Sequence, residues 1–127
     1  GAVRRKAALL TDESRYSHFR AVAKAAEGIG DPALAPDLAR LLALPKVGGH
    51  ALAPRAVPPI AGYEKDISHL GVADQERSDC LRELSVARVL FRLGDPTGAA
   101  RKALEAYTAD PRRVYAAHAR AVLSTSF

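Results

Sequence analysis

The chain has 127 residues, 48% of them apolar and 26% charged, with a net charge of +5; this is enough for one domain with a core, too little for two, and too apolar for a disordered polyelectrolyte. The apolar share comprises 26 Ala and 15 Leu against 9 Val, 3 Ile, 3 Phe and no Trp, small and unbranched side chains that favour helix and exclude an all-β sandwich or barrel. The single cysteine, Cys80, excludes a disulfide scaffold, and no run approaches the ~18 apolar residues of a membrane span.

Val3 to Leu10 has the pattern of a short first helix. Ser14 or Asp12 is placed to cap a second, running to about Glu27 with Tyr16, Phe19, Val22, Ala23 and Ala26 on one face. Three Asp-Pro pairs then punctuate the chain: Asp31-Pro32, Asp95-Pro96 and Asp110-Pro111. Aspartate accepts from the free amides of a first turn, and proline suits the first helical position because its missing N–H would be unpaired there. After Asp31, Leu34, Leu38, Leu41 and Leu42 form one stripe that Pro45 ends. Residues 45–75 carry four of the eight prolines and four of the nine glycines and are predicted as a long loop, with one helical turn near Glu64 to Leu70.

Ser78 or Asp79 is placed to cap the next helix, to about Leu93, with Leu81, Leu84, Ala87, Leu90 and Leu93 inward and Val86, Val89 and Phe91 widening the stripe. This should be the most buried helix. After Asp95 come Ala99, Ala103, Leu104 and Tyr107, and after Asp110 come Val114, Tyr115, His118, Ala121 and Val122, two further amphipathic patterns.

Residues 21–32 and 85–96 align without gaps: valine, alanine, a base, an aliphatic residue and Gly-Asp-Pro recur in register, as Gly30-Asp31-Pro32 and Gly94-Asp95-Pro96. Repeated helix, turn and helix is the pattern of an α-solenoid. The expected fold is thus an all-α superhelix in one domain, 1–127. It has a helical hairpin at about 14–44, the loop at 45–75, a hairpin at about 78–109 and a closing helix at about 111–123. The repeats resemble those of HEAT and armadillo type.

A second resemblance covers most of the chain from residue 14. Ser14-Arg15-Tyr16-Ser17-His18, Leu41-Leu42 with Pro45, Gly48-Gly49-His50-Ala51, Leu81-Arg82-Glu83-Leu84, Ala87-Arg88, Arg92-Leu93-Gly94-Asp95 and Tyr115 through Leu123 together look like the helical C-terminal region of bacterial FAD-dependent oxidoreductases. In that family the flavin-binding part precedes this region, so the resemblance carries no flavin-binding residue onto this chain and implies FAD only for a parent protein. The departures are Pro111 and Arg113, where a more apolar residue and glycine are expected. A start at Gly-Ala and the lack of any Met also read as a piece of a longer protein.

The candidate chemistry is sparse. Gly28-Ile29-Gly30-Asp31-Pro32-Ala33 matches a dinucleotide fingerprint in letters, but helical rather than strand spacing precedes it, so it is expected to be a turn. No two of His18, His50, His69 and His118 have metal-ligand spacing; His18 and His118 are expected to pack beside apolar stripes. Cys80, expected to be half-buried at a helix start, has no histidine beside it in sequence. Glu27, Glu83 and Glu105 are expected in surface ion pairs with nearby bases.

These readings point to a non-catalytic module that contacts another domain of its parent chain or a protein partner, with no cofactor or metal of its own and no membrane span. Nucleic acid is the alternative, suggested by a pI of about 9.7 and disfavoured by interleaved acids; a stand-alone peptide-binding scaffold is another. A lone cysteine and no signal peptide favour a cytoplasmic location. The interaction candidates are His50 and Tyr63 in the loop and Arg112, Arg113, Tyr115 and His118 around the closing helix.

Overall fold

The computed structural model describes residues 2–51 and 72–124, and all of its regular elements are helices. They are α1 (Ala2–Leu9), α2 (Tyr16–Ile29), a single 3-10 turn (Pro32–Leu34) leading into α3 (Ala35–Leu42), α4 (Val72–Arg92), α5 (Ala99–Thr108) and α6 (Arg113–Ser124). Residues 52–71, which include Tyr63 and the helical turn expected near Glu64 to Leu70, lie outside the described residues.

The core is built as the stripes predict for α2 and α3. Phe19, Val22, Ala23 and Ala26 are buried on α2, and Leu34, Leu38, Leu41 and Leu42 on the 3-10 turn and α3. α4 is the central element, packing on α2, α3, α5 and α6 and burying Leu84, Val86, Ala87, Val89 and Leu90. α2 and α3 both pack on α4 and touch each other little, so the first expected hairpin is opened by α4 lying against both arms. α1 closes the other side of α3: Arg4 Nε donates to Asp37 Oδ2 at 3.1 Å, and Arg40 donates to the carbonyl of Ala7.

Four helix starts differ from expectation. α2 begins at Tyr16 without a side-chain cap; Ser14 Oγ accepts from the Thr11 amide instead and closes the preceding turn. α4 begins at Val72, so Ser78 and Asp79 lie inside it. Asp79 there accepts from Arg82 Nη2 at 3.0 Å, a helical ion pair rather than a cap. α5 begins at Ala99 and α6 at Arg113, two or three residues beyond their prolines.

The repeated Gly-Asp-Pro segment folds in two ways. Val22 and Val86, Ala23 and Ala87 are all buried, and Gly30 and Gly94 both take positive φ, +69° and +113°, as a helix end requires of a residue without Cβ. Asp31 stays extended and its Oδ1 accepts from the Ala33 amide at 2.9 Å. Asp95 takes φ +40° and reaches over Pro96-Thr97-Gly98 to accept from the amides of Ala100 at 3.0 Å and Arg101 at 2.9 Å. Asp95 therefore caps α5 from a distance. Asp95→Ala is expected to lower stability by about 0.5–2 kcal/mol, read as a drop in the urea midpoint at unchanged slope; an unchanged midpoint would show the two bonds to be idle.

Candidate functional site

Two constellations concentrate the polar chemistry of the molecule. The first lies under residues 44–51. Glu83, expected on the surface, is 4% exposed. Its Oε2 accepts from the Gly49 amide at 2.8 Å, and its Oε1 from the His50 amide at 3.1 Å and the Tyr107 hydroxyl at 2.5 Å. The geometry depends on Gly48-Gly49. A Cβ on Gly48 would stand 3.0 Å from the Leu42 carbonyl oxygen, and Gly49 has φ +85°, so a bulkier pair would lift the two amides away from the carboxylate. Burial, reinforced by the Glu83 carboxylate and then by Cys80, pushes the Tyr107 phenol far above its ordinary range. Tyr107 is held as a hydrogen-bond donor.

Beside this knot, Arg112 clamps Asp110 through two bonds, Nε to Oδ1 at 2.9 Å and Nη2 to Oδ2 at 2.6 Å. The same Nη2 donates to the His50 carbonyl at 2.7 Å, and the guanidinium lies 4.8 Å from the centre of the Tyr115 ring. Asp110 Oδ1 also accepts from the Arg112 amide at 2.8 Å. Asp110 thus caps the turn into α6, as its Asp-Pro signal predicts, while fixing the base that holds residue 50. Cys80 is fully buried inside α4, with Sγ 3.8 Å from the His50 carbonyl. It is neither half-buried nor at a helix start.

One residue before Glu83, Arg82 is 5% exposed. It donates to the carbonyls of Asp12 at 2.7 Å, Ser14 at 3.0 Å and Lys46 at 3.1 Å, and lies over the Phe19 ring at 5.3 Å. Adjacent positions on α4 therefore hold two separate connections, Arg82 by giving protons to carbonyls and Glu83 by accepting them from amides.

The second constellation is a groove of about 410 Å³ across α2, α4 and α6. Its floor is apolar, with Ala23, Leu81, Leu84, Val89 and Tyr115, and Val114 stands at its edge; its polar groups include Arg20, Lys24, Glu27, Arg88 and His118. Glu27 joins two of the helices, accepting from Arg88 Nε at 3.1 Å and Arg92 Nη1 at 2.7 Å; its partners are on α4 and not, as expected, the neighbouring Lys24. Val114 is 76% exposed, because α6 buries Ala116, Ala119 and Val122 and turns 114, 118 and 121 outward from the core.

Of the interaction candidates, Tyr115 and His118 line this groove, Arg113 is exposed at the start of α6, and His50 and Arg112 are joined in the knot. His18, expected to pack beside the α2 stripe, is exposed. Gly30, Asp31 and Pro32 form a helix-to-helix turn, geometry that offers no strand for a dinucleotide fingerprint. Among the described residues no cluster of three or more His, Cys, Asp or Glu is placed to hold a metal ion, and no helix is long and apolar enough to cross a membrane.

His118 carries a pH signature. Burial, with Arg88 and Arg92 adding to it, holds its imidazole below the ordinary value of 6.5. The unfolded chain then binds the proton more readily, so stability falls as the pH drops through and below that value. Comparing urea midpoints at about pH 7.5 and about pH 5, His118→Gln is expected to lose less stability than the parent sequence on acidification. Equal losses would mean that the ring titrates as freely in the folded state as in the unfolded one.

No known protein family, curated protein or solved structure matches the chain.

Proposed function

We propose that this chain is a non-catalytic, HEAT-like helical-repeat module that docks another domain or protein through the α2, α4 and α6 groove, and that its setting is the C-terminal part of a bacterial FAD-dependent oxidoreductase. The observation that carries the reading is the groove itself. Three helices line it, and Val114 stands largely in water at its edge although α6 has a complete inner face without it. An apolar floor bordered by charges is the composition of a protein contact.

The remaining polar groups support the same reading. Glu83, Tyr107, Asp110, Arg112 and Arg82, which hold the densest chemistry, are engaged with one another and with backbone groups. The setting rests on the resemblance of residues 14–123, and on that reading the flavin belongs to the part of the parent that precedes this chain.

The test is a photo-crosslinking amino acid placed at Val114 in the parent protein, against a control at exposed Ala8 on α1. Cross-linking to another domain or polypeptide from position 114 and not from position 8 is expected. Equal yields from both positions, or none from 114, would overturn it.

A further inference from the structure

We propose that the groove across α2, α4 and α6 receives an acidic segment of a partner protein, carrying apolar anchors with carboxylates beside them; this rests on the docking reading above and specifies the partner's chemistry. The sign of the groove comes from its own ion pairs. Glu27, the carboxylate among the described lining residues, accepts from two guanidiniums, Arg88 at 3.1 Å and Arg92 at 2.7 Å. Its charge is therefore answered within the molecule. Arg20 and Lys24, one helical turn apart along the α2 edge, are exposed, and neither has an ion pair among the described residues. The described lining thus has three bases to one acid, a surplus that a carboxylate-bearing segment would complement.

The floor decides between classes of partner. Leu81, Leu84 and Val89 are aliphatic, with Val114 at the edge; of the rings in the described lining, that of Tyr115 already meets Tyr107 edge-on at 6.1 Å and has Arg112 over it, which leaves Tyr16 and His118. Stacked nucleic acid bases are best served by successive aromatic platforms, and the described lining has two tyrosines and no Phe or Trp. Aliphatic anchors of a peptide need what is there, an apolar floor between helices. At about 410 Å³ the groove lies near the small end of ligand clefts and takes a few side chains, not a globular face. Cations along one edge of such a floor act chiefly on selectivity and association rate, which is how an acidic segment would be chosen over neutral ones.

The probe is a random dodecamer peptide library selected on the immobilised full chain, followed by fluorescence anisotropy of the most enriched peptide. Leucine- or phenylalanine-type anchors flanked by Asp and Glu are expected to emerge. Affinity should fall about three- to tenfold in Arg20→Glu and again in Lys24→Glu, and should weaken with added salt. Both positions are exposed, and circular dichroism of each variant keeps a folding defect separate from a binding one. Val114→Asp should abolish binding.

Four results would overturn the proposal: selected peptides without acidic residues; binding indifferent to both charge reversals; tighter binding of a single-stranded RNA dodecamer competed by the peptide; or a concentration-dependent dimer that Val114→Asp dissolves, which would make a second copy the occupant. Neutral peptides that still require Val114 would remove the acidic partner and leave the docking reading standing. No enrichment at all, together with no cross-link from position 114, would remove both.

Discussion

Replacing Glu83 by alanine is expected to lower stability by about 3–5 kcal/mol, the range for removing one partner of a buried charged cluster. The size follows from what is left behind. The amides of Gly49 and His50 and the hydroxyl of Tyr107 would lose their acceptor together, and each buried donor without a partner costs about 1–3 kcal/mol. Gly49 is exposed and His50 half-buried, so water reaching their amides lowers the total below the simple sum. Glu83→Gln keeps an acceptor oxygen but adds two donors where three already converge, so it should recover only part of the loss. Tyr107→Phe isolates one bond, of the charge-assisted kind worth about 1.5–3 kcal/mol. Chemical denaturation of the three variants checks that Glu83→Ala loses more than Glu83→Gln, and sizes the loss in Tyr107→Phe. If Glu83→Ala costs less than about 1 kcal/mol, the loop is held by something other than this carboxylate.

Arg82→Lys should be nearly as harmful as Arg82→Ala, with losses of about 3–5 kcal/mol for alanine and more than half of that for lysine. Lysine keeps the charge, but the bonds to the Asp12, Ser14 and Lys46 carbonyls and to Asp79 leave along the directions of a planar fork. An ammonium on a flexible stem meets fewer of those acceptors and cannot stack flat on Phe19. Arg82 is not a perfect fit either: its Nε is buried without a hydrogen-bond partner. Hydrogen exchange at residues 12–14 offers a local readout. Protection there should drop in both variants, and full rescue by lysine would show that charge alone matters.

What could be read ahead of the structure depended on how far apart the interacting residues lie. The α2 and α3 stripes rest on large residues at helical spacing, Phe19 with Val22 and Leu38 with Leu41 and Leu42, and all are buried. α6 was rotated in the reading because alanine fits either face. The expected row Val114, Tyr115, His118, Ala121 and Val122 keeps only Val122 fully buried, because Ala116 and Ala119 take the inner positions that their small side chains do not advertise. Ser78 and Asp79 match a cap locally, while the polar residues before them match a further helical turn equally well, so local pattern does not fix the start of α4. The neighbouring Arg82 makes Glu83 look like a surface acid in the sequence. Its true partners lie 24 to 34 residues away, where no periodicity reaches, and the usable signal was the glycine pair at 48 and 49 beside a histidine. The groove needed α2, α4 and α6 together, and only the fold supplies that meeting.

The centrality of α4 has a consequence for how the protein comes into being on the ribosome. Arg82 binds residues 70 and 68 positions earlier, and Arg88 and Arg92 reach back 61 and 65 positions to Glu27. At about 5–20 residues per second, several seconds pass between the emergence of α2 and that of the helix it packs on. Throughout that interval Phe19, Val22, Leu38 and Leu41 have no partner from α4, so the nascent N-terminal half is an exposed apolar surface whose fate depends on whatever shields it. Translation speed through residues 43–92 therefore sets the length of the period in which this chain is most open to aggregation, and slowing it there should lower the yield of folded protein even though every codon still specifies the same sequence.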